Sequence, residues 1–196
     1  MEKPVIFNSE MVRKILSGEK TQTRRPVGAK GALYPNETLA DWAKRWGEKP
    51  RYQVGDLLYV REAWADIPET APGNYHYKAS ANKADLDWFK EEGWKWKPSI
   101  HMPKAAARIW LEVVDVGIER LTDISEEDAK AEGSMKAHFV IHPTDGKVGY
   151  LDGLYGTYKE GYELIWDSIY ATKDFGWADN PIVWKYTFRR VDNEHR

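Results

Sequence analysis

The sequence predicts an α+β fold with a small mixed β-sheet that curls into a barrel-like shape. Segments with strand and helix periodicity follow one another in the order strand, helix, several strands, helix, helix, strand. A strongly alternating segment runs from Arg108 to about Val116, and IVWKYTFRR at 182–190 closes the chain as a strand. A chain of 196 residues can bury one core, so we expect a single domain over residues 1–196.

The N-terminal segments predict a strand, a helix and a basic turn. PVIFN at 4–8 is typical of a short buried strand, and Ser9 is expected to cap a helix whose apolar residues recur at helical spacing. Gly18 is expected to end that helix. Lys20 to Arg25 therefore fall in the turn and the extended segment that follow.

The remaining elements follow from the same signals. Breaker-rich residues 27–50 indicate an insertion, and strands are predicted at 57–64 and 74–80. A helical turn and an ordered loop follow at 86–103. Ser125, three residues before Asp128, predicts a short capped helix that ends at Gly133, which places Glu132 at its C-terminal end. A later helix is predicted over 158–169.

The amino-acid composition excludes several classes of function. The 29 Lys and Arg against 31 Asp and Glu leave a net charge of −2, unlike the basic balance of a protein that coats nucleic acid. Without cysteine, disulfides, thiolate nucleophiles and Cys-ligated metals are excluded, and the five histidines lack metal-ligand spacing. We therefore expect no metal and no cofactor. No signal peptide or membrane span is predicted, and we expect a cytoplasmic protein.

Residues 11–30 concentrate positive charge. The cations, set against the single acid Glu19, are Arg13, Lys14, Lys20, Arg24, Arg25 and Lys30. Such a run is typical of a solvated helix face and turn, which the pattern favours, and a phosphate- or RNA-binding patch is the alternative. A third interpretation is chemical, because a neutral Lys20 could accept the hydroxyl proton of Thr23 while a carboxylate shuttles it onward.

The stretch ILSGEKTQTRR resembles the start of the ASCH-domain family, whose members carry G-x-K-T-x-T-x-R after the first helix of a PUA-like β-barrel. All five fixed positions match, namely Gly18, Lys20, Thr21, Thr23 and Arg25. VGDLLYVREAW, ERLTDISEEDAKAEG and IVWKYTFRRV resemble the family's G-D-x-L strand, acidic helix and closing strand. With WKPSIHMP, the chain is most similar to the longer phage-type members, and residues 27–50 and 136–157 depart from the family pattern as insertions.

The resemblance implies an activity. Small bacterial ASCH proteins hydrolyse the amide of N4-acetylcytidine with a lysine, a threonine and a glutamate, which correspond by motif position to Lys20, Thr23 and Glu132. It therefore implies an amidohydrolase that removes the acyl group from N4-acylated cytidine or cytosine without a cofactor. The expected partner is a modified nucleoside or nucleobase, with short RNA as a further candidate, and no membrane.

Substrate contacts are expected from further residues. Arg25 and Thr21 belong to the motif, and among the ten tryptophans and eleven tyrosines we single out Tyr59, Trp64 and Trp96 as candidates to stack on the pyrimidine. For any one of these aromatic residues, a place in the core is the commoner outcome. Two other functions use the same cleft: a non-catalytic module that binds RNA or modified nucleosides, and a ribonuclease.

Overall fold

A computed structural model describes residues 1–28, 31–67, 75–141, 148–152 and 156–191. The strands are β1 (Glu2–Ile6), β2 (Gln22–Pro26), β3 (Leu57–Arg61), β4 (Trp64–Asp66), β5 (Tyr75–Tyr77), β6 (Trp110–Arg120), β7 (Ala137–Ile141), β8 (Val148–Asp152) and β9 (Ile182–Val191). The α-helices are α1 (Ser9–Leu16), α2 (Leu39–Arg45), α3 (Lys83–Glu91), α4 (Glu126–Ala131) and α5 (Tyr158–Tyr170). None of the helices in these ranges combines the length and the apolar character needed to cross a membrane.

One five-stranded sheet has the strand order β1-β3-β6-β9-β2. β1 pairs with β3 in parallel, whereas β3 with β6 and β2 with β9 are antiparallel, so the sheet is mixed. Two hairpins form separate two-stranded sheets, β4 with β5 and β7 with β8. The predicted α+β class and mixed sheet are confirmed, and closure of the sheet into a barrel stays a prediction.

The chain divides into two compact units. The first unit comprises Met1–Gly18, Val54–Val114 and Phe188–Arg196, and the second comprises Glu19–Gln53 and Asp115–Thr187. Both units are assembled from separate stretches of chain. That they form one domain stays a prediction.

Apolar side chains from β1, α1, β3 and β6 form the core of the first unit. Val5, Val12, Leu58 and Leu111 are all completely or almost completely buried. Asn8, rather than the predicted Ser9, caps α1, because its side-chain oxygen accepts a hydrogen bond from the amide of residue 11 at 2.8 Å. The helix cap is therefore one residue earlier than the sequence predicts.

The predicted strand over 57–64 is broken in the structure, since β3 ends at Arg61 and β4 begins at Trp64. At the break, the carboxylate of Glu62 is fully buried and receives two hydrogen bonds from Arg108, at 2.9 and 3.0 Å. A buried charge requires a partner. Arg108 therefore compensates the buried charge of Glu62 at the break between β3 and β4.

In the second unit, α4 contacts α5 around a buried cluster that includes Leu121, Ala129 and Trp166. Thr157 and Glu160 form a capping box at the start of α5, and the carboxylate of Glu126 accepts the amide hydrogen of Tyr158 at 2.8 Å. The first turns of α4 and α5 are therefore joined. The insertion at 27–50 contributes α2, and the one at 136–157 contributes β7 and β8.

Candidate functional site

The segment that carries Lys20 begins after a sharp helix stop. Gly18 ends α1 with φ +81°, a left-handed conformation that favours glycine. Three residues later, the amide of Thr21 donates to the carbonyl of Ala131 at 2.8 Å, which fixes this segment against the end of α4. The Thr21 side chain is itself exposed.

Lys20 and Glu132 form a buried ion pair. Lys20 Nζ lies 2.7 Å from Glu132 Oε2, and the two side chains are 0% and 3% exposed. Nζ also donates to the backbone carbonyls of Glu132 at 2.8 Å and Gln22 at 2.7 Å. These three oxygen partners equal in number the donors of an ammonium group.

The position of Glu132 follows from α4. Ser125 caps this helix by accepting the amide hydrogen of Asp128 at 3.1 Å, and Glu132 is the C-terminal cap residue, as the sequence predicts. Its second carboxylate oxygen, Oε1, accepts from Arg24 Nη1 at 3.2 Å and from the Tyr162 hydroxyl at 3.3 Å. Each oxygen of Glu132 therefore has its own set of donors.

Arg24 is a further candidate site residue, which the sequence analysis did not include in the site. Its side chain is completely buried and pairs with three carboxylates, Glu119 at 2.6 Å, Asp128 at 2.8 Å and Glu132 at 3.2 Å. Burial alone would lower the pKa of its guanidinium, but Glu132 and Glu119 outweigh burial and raise that pKa. Arg24 is therefore a permanent internal cation.

The outer side of this network is polar and half-buried. Gln22 donates to Asp128 Oδ1 at 2.9 Å, and Lys185 lies 3.4 Å from Asp128 Oδ2. Burial tends to raise the pKa of Asp128, but the hydrogen bond from Gln22 and the charge of Arg24 outweigh it, so the pKa is lowered. The negative charge of Asp128 is therefore maintained at neutral pH.

Thr23 is 1% exposed and pairs with Tyr186 across β2 and β9. Its hydroxyl oxygen accepts a hydrogen bond from Arg25 Nη1 at 2.7 Å, and the same nitrogen donates to the carbonyl of Arg24 at 2.9 Å. Lys20 reaches the adjacent peptide through the carbonyl of Gln22. Lys20 and Thr23 thus meet at one backbone segment, and each side chain has partners of its own.

Burial lowers the pKa of Lys20 below its ordinary value of 10.5. Glu132 opposes this effect, whereas the nearby positive charges of Arg25 and Arg24 add to it. Burial and the charge of Glu132 also raise the pKa of the Tyr162 hydroxyl well above its ordinary value, so Tyr162 is a neutral donor to Glu132.

The prediction of a basic surface over residues 11–30 is wrong for two of its cations. Lys20 and Arg24 are buried and ion-paired, so neither belongs to a solvated helix face nor to a phosphate-binding patch. The sequence suggested a surface because it shows only neighbouring cations, whereas their carboxylate partners come from distant positions. Lys30, a further member, lies outside the described residues.

The three aromatic candidates lie in the first unit. The Tyr59 ring packs on Trp110 with centroids 5.8 Å apart, and Trp64 is 6% exposed in a cluster that includes Trp110. Trp96 stacks on Phe89 with centroids 4.0 Å apart. Within the second unit, the structure thus brings Lys20 into contact with Glu132 and Arg25 into contact with Thr23. Convergence of these two pairs in one site and stacking by the three aromatic residues stay predictions.

Within the described ranges, no cluster of histidine or carboxylate residues has the arrangement of a metal site. The carboxylates around Arg24 are instead neutralised by that guanidinium and by Lys20 and Lys185. The residues that the structure describes therefore contain no candidate metal centre.

No family model and no curated protein matches this sequence. Among solved structures, the chain is similar to an ASCH domain from Lactobacillus crispatus JV V101, with 14% identity, coverage of 96% of this chain and 79% of that chain, and a TM-score of 0.43. It is also similar to protein EF3133 from Enterococcus faecalis V583, a DUF984 protein, with 13% identity, coverage of 98% and 77%, and a TM-score of 0.43. The first of these names is that of the family that the motif at residues 18–25 resembles.

Proposed function

We propose that the protein is an amidohydrolase that removes the acyl group from N4-acylated cytidine or cytosine. The observation that carries the proposal is the buried contact of 2.7 Å between Lys20 Nζ and Glu132 Oε2, next to the segment that holds Thr23. A base and an acid that share one proton are what an acyl transfer to and from a hydroxyl requires. The match of all five motif positions supports the same assignment.

The Lys20–Glu132 pair can supply both the base and the acid that the reaction needs. When the proton moves from Lys20 Nζ to Glu132 Oε2, the lysine becomes a neutral amine and the glutamate a carboxylic acid. Burial favours this neutral pair, because it penalises both charges. Lys20 then accepts the Thr23 proton as the hydroxyl oxygen attacks the acyl carbonyl, and Glu132 protonates the departing N4 amine.

Water completes the cycle. It attacks the acyl-threonine ester and passes a proton to the Glu132 carboxylate, while the Lys20 ammonium returns its proton to the Thr23 oxygen. One amide bond and one water molecule are consumed, and the products are cytidine and a carboxylic acid. These steps leave a neutral amine on Lys20 and a carboxylic acid on Glu132, and the proton of Glu132 returns to Lys20, which restores the starting ion pair.

Arg25 has a defined place in this scheme. Its Nη1 donates to the Thr23 hydroxyl oxygen at 2.7 Å, and a donor at that oxygen stabilises the negative charge that develops as the proton leaves. We assign Arg25 to activation of the nucleophile. Lys20 has to leave the carbonyl of Gln22 to reach Thr23, a rearrangement of the kind that substrate binding commonly completes.

A binding module is the second candidate, and one observation favours it. The resting Lys20 ammonium donates to three oxygens within a buried network, an arrangement that also suits a purely structural ion pair. A module of this kind would bind N4-acetylcytidine and release it unchanged.

The deciding experiment incubates the protein with N4-acetylcytidine and, separately, with short single-stranded RNA, and measures acetate, cytidine and RNA fragments. We expect acetate and cytidine from the first incubation and intact RNA from the second. Thr23→Val removes the hydroxyl, keeps the β-branched shape and is expected to stop acetate release. The matched control is Thr187→Val, on the neighbouring strand opposite Gln22, and it is expected to retain activity. Substrate binding without acetate release would favour the module.

A further inference from the structure

We infer that Tyr162 is a positioning residue for the hydrolysis, because it holds one oxygen of Glu132 and leaves the other oxygen to exchange a proton with Lys20. The inference rests on the proposed function and extends it to a side chain of α5, outside the motif at residues 18–25. Tyr162 does not touch the substrate in this scheme and acts only through Glu132.

The carboxylate of Glu132 has three donors among the described residues, and they divide between its two oxygens. Oε2 accepts from Lys20 Nζ at 2.7 Å. Oε1 accepts from Arg24 Nη1 at 3.2 Å and from the Tyr162 hydroxyl at 3.3 Å. Oε1 is therefore held from two elements, by a charged donor on β2 and a neutral donor on α5.

The Tyr162 ring is fixed within an apolar cluster. It lies with its centroid 6.1 Å from that of Trp166 and meets the Trp177 ring edge to face at 6.2 Å, and the residue is 3% exposed. A phenylalanine would supply the same packing, whereas a buried tyrosine hydroxyl needs a hydrogen-bond partner. Glu132 is that partner, so the hydroxyl is directed at the carboxylate.

Contacts between α4 and α5 set the position of Tyr162 relative to Glu132. The Glu126 carboxylate accepts the amide hydrogen of Tyr158 at 2.8 Å. Ser134, just after α4, donates to the carbonyl of Tyr158 at 2.8 Å. Both ends of α4 are therefore tied to the first turn of α5, one turn before Tyr162.

The two donors at Oε1 determine which oxygen of Glu132 can carry a proton. A carboxylic acid holds its proton on one oxygen, and the other oxygen only accepts hydrogen bonds. Arg24 and Tyr162 both direct hydrogens at Oε1, so a proton there would meet theirs, whereas a proton on Oε2 faces Lys20. Burial and the charge of Glu132 raise the pKa of the Tyr162 hydroxyl well above its ordinary value of 10.0, so Tyr162 stays a donor.

The test separates the hydroxyl of Tyr162 from its ring. Tyr162→Phe keeps the ring and removes the donor. Tyr158→Phe is the matched control, because the half-buried Tyr158 lies on the same helix and packs against the same apolar cluster, while Arg24, Lys20 and Tyr162 supply the donors to Glu132. Initial rates of acetate release over a series of N4-acetylcytidine concentrations give kcat and KM.

In Tyr162→Phe we expect kcat to fall about tenfold, the effect of one lost hydrogen bond to a charged group. KM is expected to change little, because the buried hydroxyl has no contact with the substrate. A second signal needs no turnover. Glutamate labelled with ¹³C at the δ carbon gives each carboxyl group a resonance, and Glu132→Gln identifies that of Glu132. We expect Tyr162→Phe to shift this resonance and Tyr158→Phe to leave kcat and the resonance as in the parent protein.

Three outcomes would overturn the positioning role: a parental kcat in Tyr162→Phe, an unshifted Glu132 resonance, or a raised KM at unchanged kcat, which would place Tyr162 in substrate binding. A purely structural role predicts lower stability in denaturant unfolding with an unshifted resonance. If the parent protein releases no acetate, the proposed hydrolysis fails instead, and the carbon resonance alone decides whether Tyr162 holds Glu132.

Discussion

Lys20 Nζ lies 2.7 Å from Glu132 Oε2, although 112 positions separate these residues in the chain. Both side chains are shielded from solvent, and Arg24 and Tyr162 hold the other oxygen of the glutamate. Because Oε1 is occupied in this way, we expect Oε2 to be the oxygen that exchanges a proton with Lys20. This division of roles within one carboxylate is the basis of the catalytic predictions below.

The Lys20→Arg variant distinguishes two roles of Lys20, that of a catalytic base and that of a cation which only supplies positive charge. Arginine keeps the positive charge but stays protonated and cannot accept the Thr23 proton. We expect hydrolysis of N4-acetylcytidine to fall by roughly 10²–10⁴-fold, the usual contribution of a general base, while ligand binding largely survives. Initial rates and a binding titration on the same preparation test this. A Lys20→Arg protein with a near-parental rate would contradict the role of Lys20 as the base.

The pH dependence of hydrolysis reports the same group. Because the active pair carries one proton, shared between Lys20 and Glu132, the rate is expected to fall as the pH increases through the pKa of Lys20 and that proton is lost. Burial lowers that pKa, so the midpoint of the fall should lie below 10.5. Initial rates over a pH series locate the midpoint. A midpoint at or above 10.5, or a rate that rises throughout the range, would disagree with this assignment.

Arg24→Met tests the internal cation. The substitution keeps a long side chain but leaves Glu119, Asp128 and Glu132 without their shared guanidinium. Removing one partner of a buried ion pair typically costs about 3–5 kcal/mol, and denaturant unfolding should show a loss of that size. Arg189→Met is the control, because Arg189 is 68% exposed in its pair with Glu112 and should change stability by about 1 kcal/mol or less. Equal losses in the two variants would contradict a special role for Arg24.

Lowering the pH should weaken the contribution of Asp128 to the stability of the folded protein. Its pKa is lower in the folded protein than the ordinary 3.8, so the folded state binds fewer protons there than the unfolded chain. The stabilisation is therefore complete above pH 3.8 and disappears as the pH falls through the lowered pKa. The measurement is the difference in unfolding free energy between the parent protein and Asp128→Asn at a series of pH values. A difference that stayed constant down to pH 2 would contradict this linkage.

Chelation is expected to leave hydrolysis unchanged, since the proposed mechanism uses only Lys20, Thr23, Glu132 and Arg25. The measurement compares initial rates with and without EDTA after prolonged incubation. Loss of activity that zinc restores would point to metal-assisted hydrolysis instead.

Much of the local structure was predictable because its signals lie within a few residues of one another. Gly18 ends α1, Ser125 caps α4, and the apolar spacing of α5 predicted its position to within a residue. The break at Glu62 was not predictable, because the alternating pattern continues through it, and the partner of the buried Glu62 is Arg108, 46 positions away. Local sequence signals do not report contacts between residues that are distant in the chain.

What the sequence by itself determined is most of the helices and strands and the motif that presents Lys20 and Thr23 after a glycine stop. Only the tertiary structure decided which charges meet. Arg24 looks like a surface cation beside Arg25, yet it is buried among carboxylates from β6 and α4, and Glu132 looks like a solvated acid at a helix end, yet it pairs with Lys20. Helix and strand signals depend on near neighbours in the chain, whereas the environment of a charge depends on segments that become neighbours only when the chain folds.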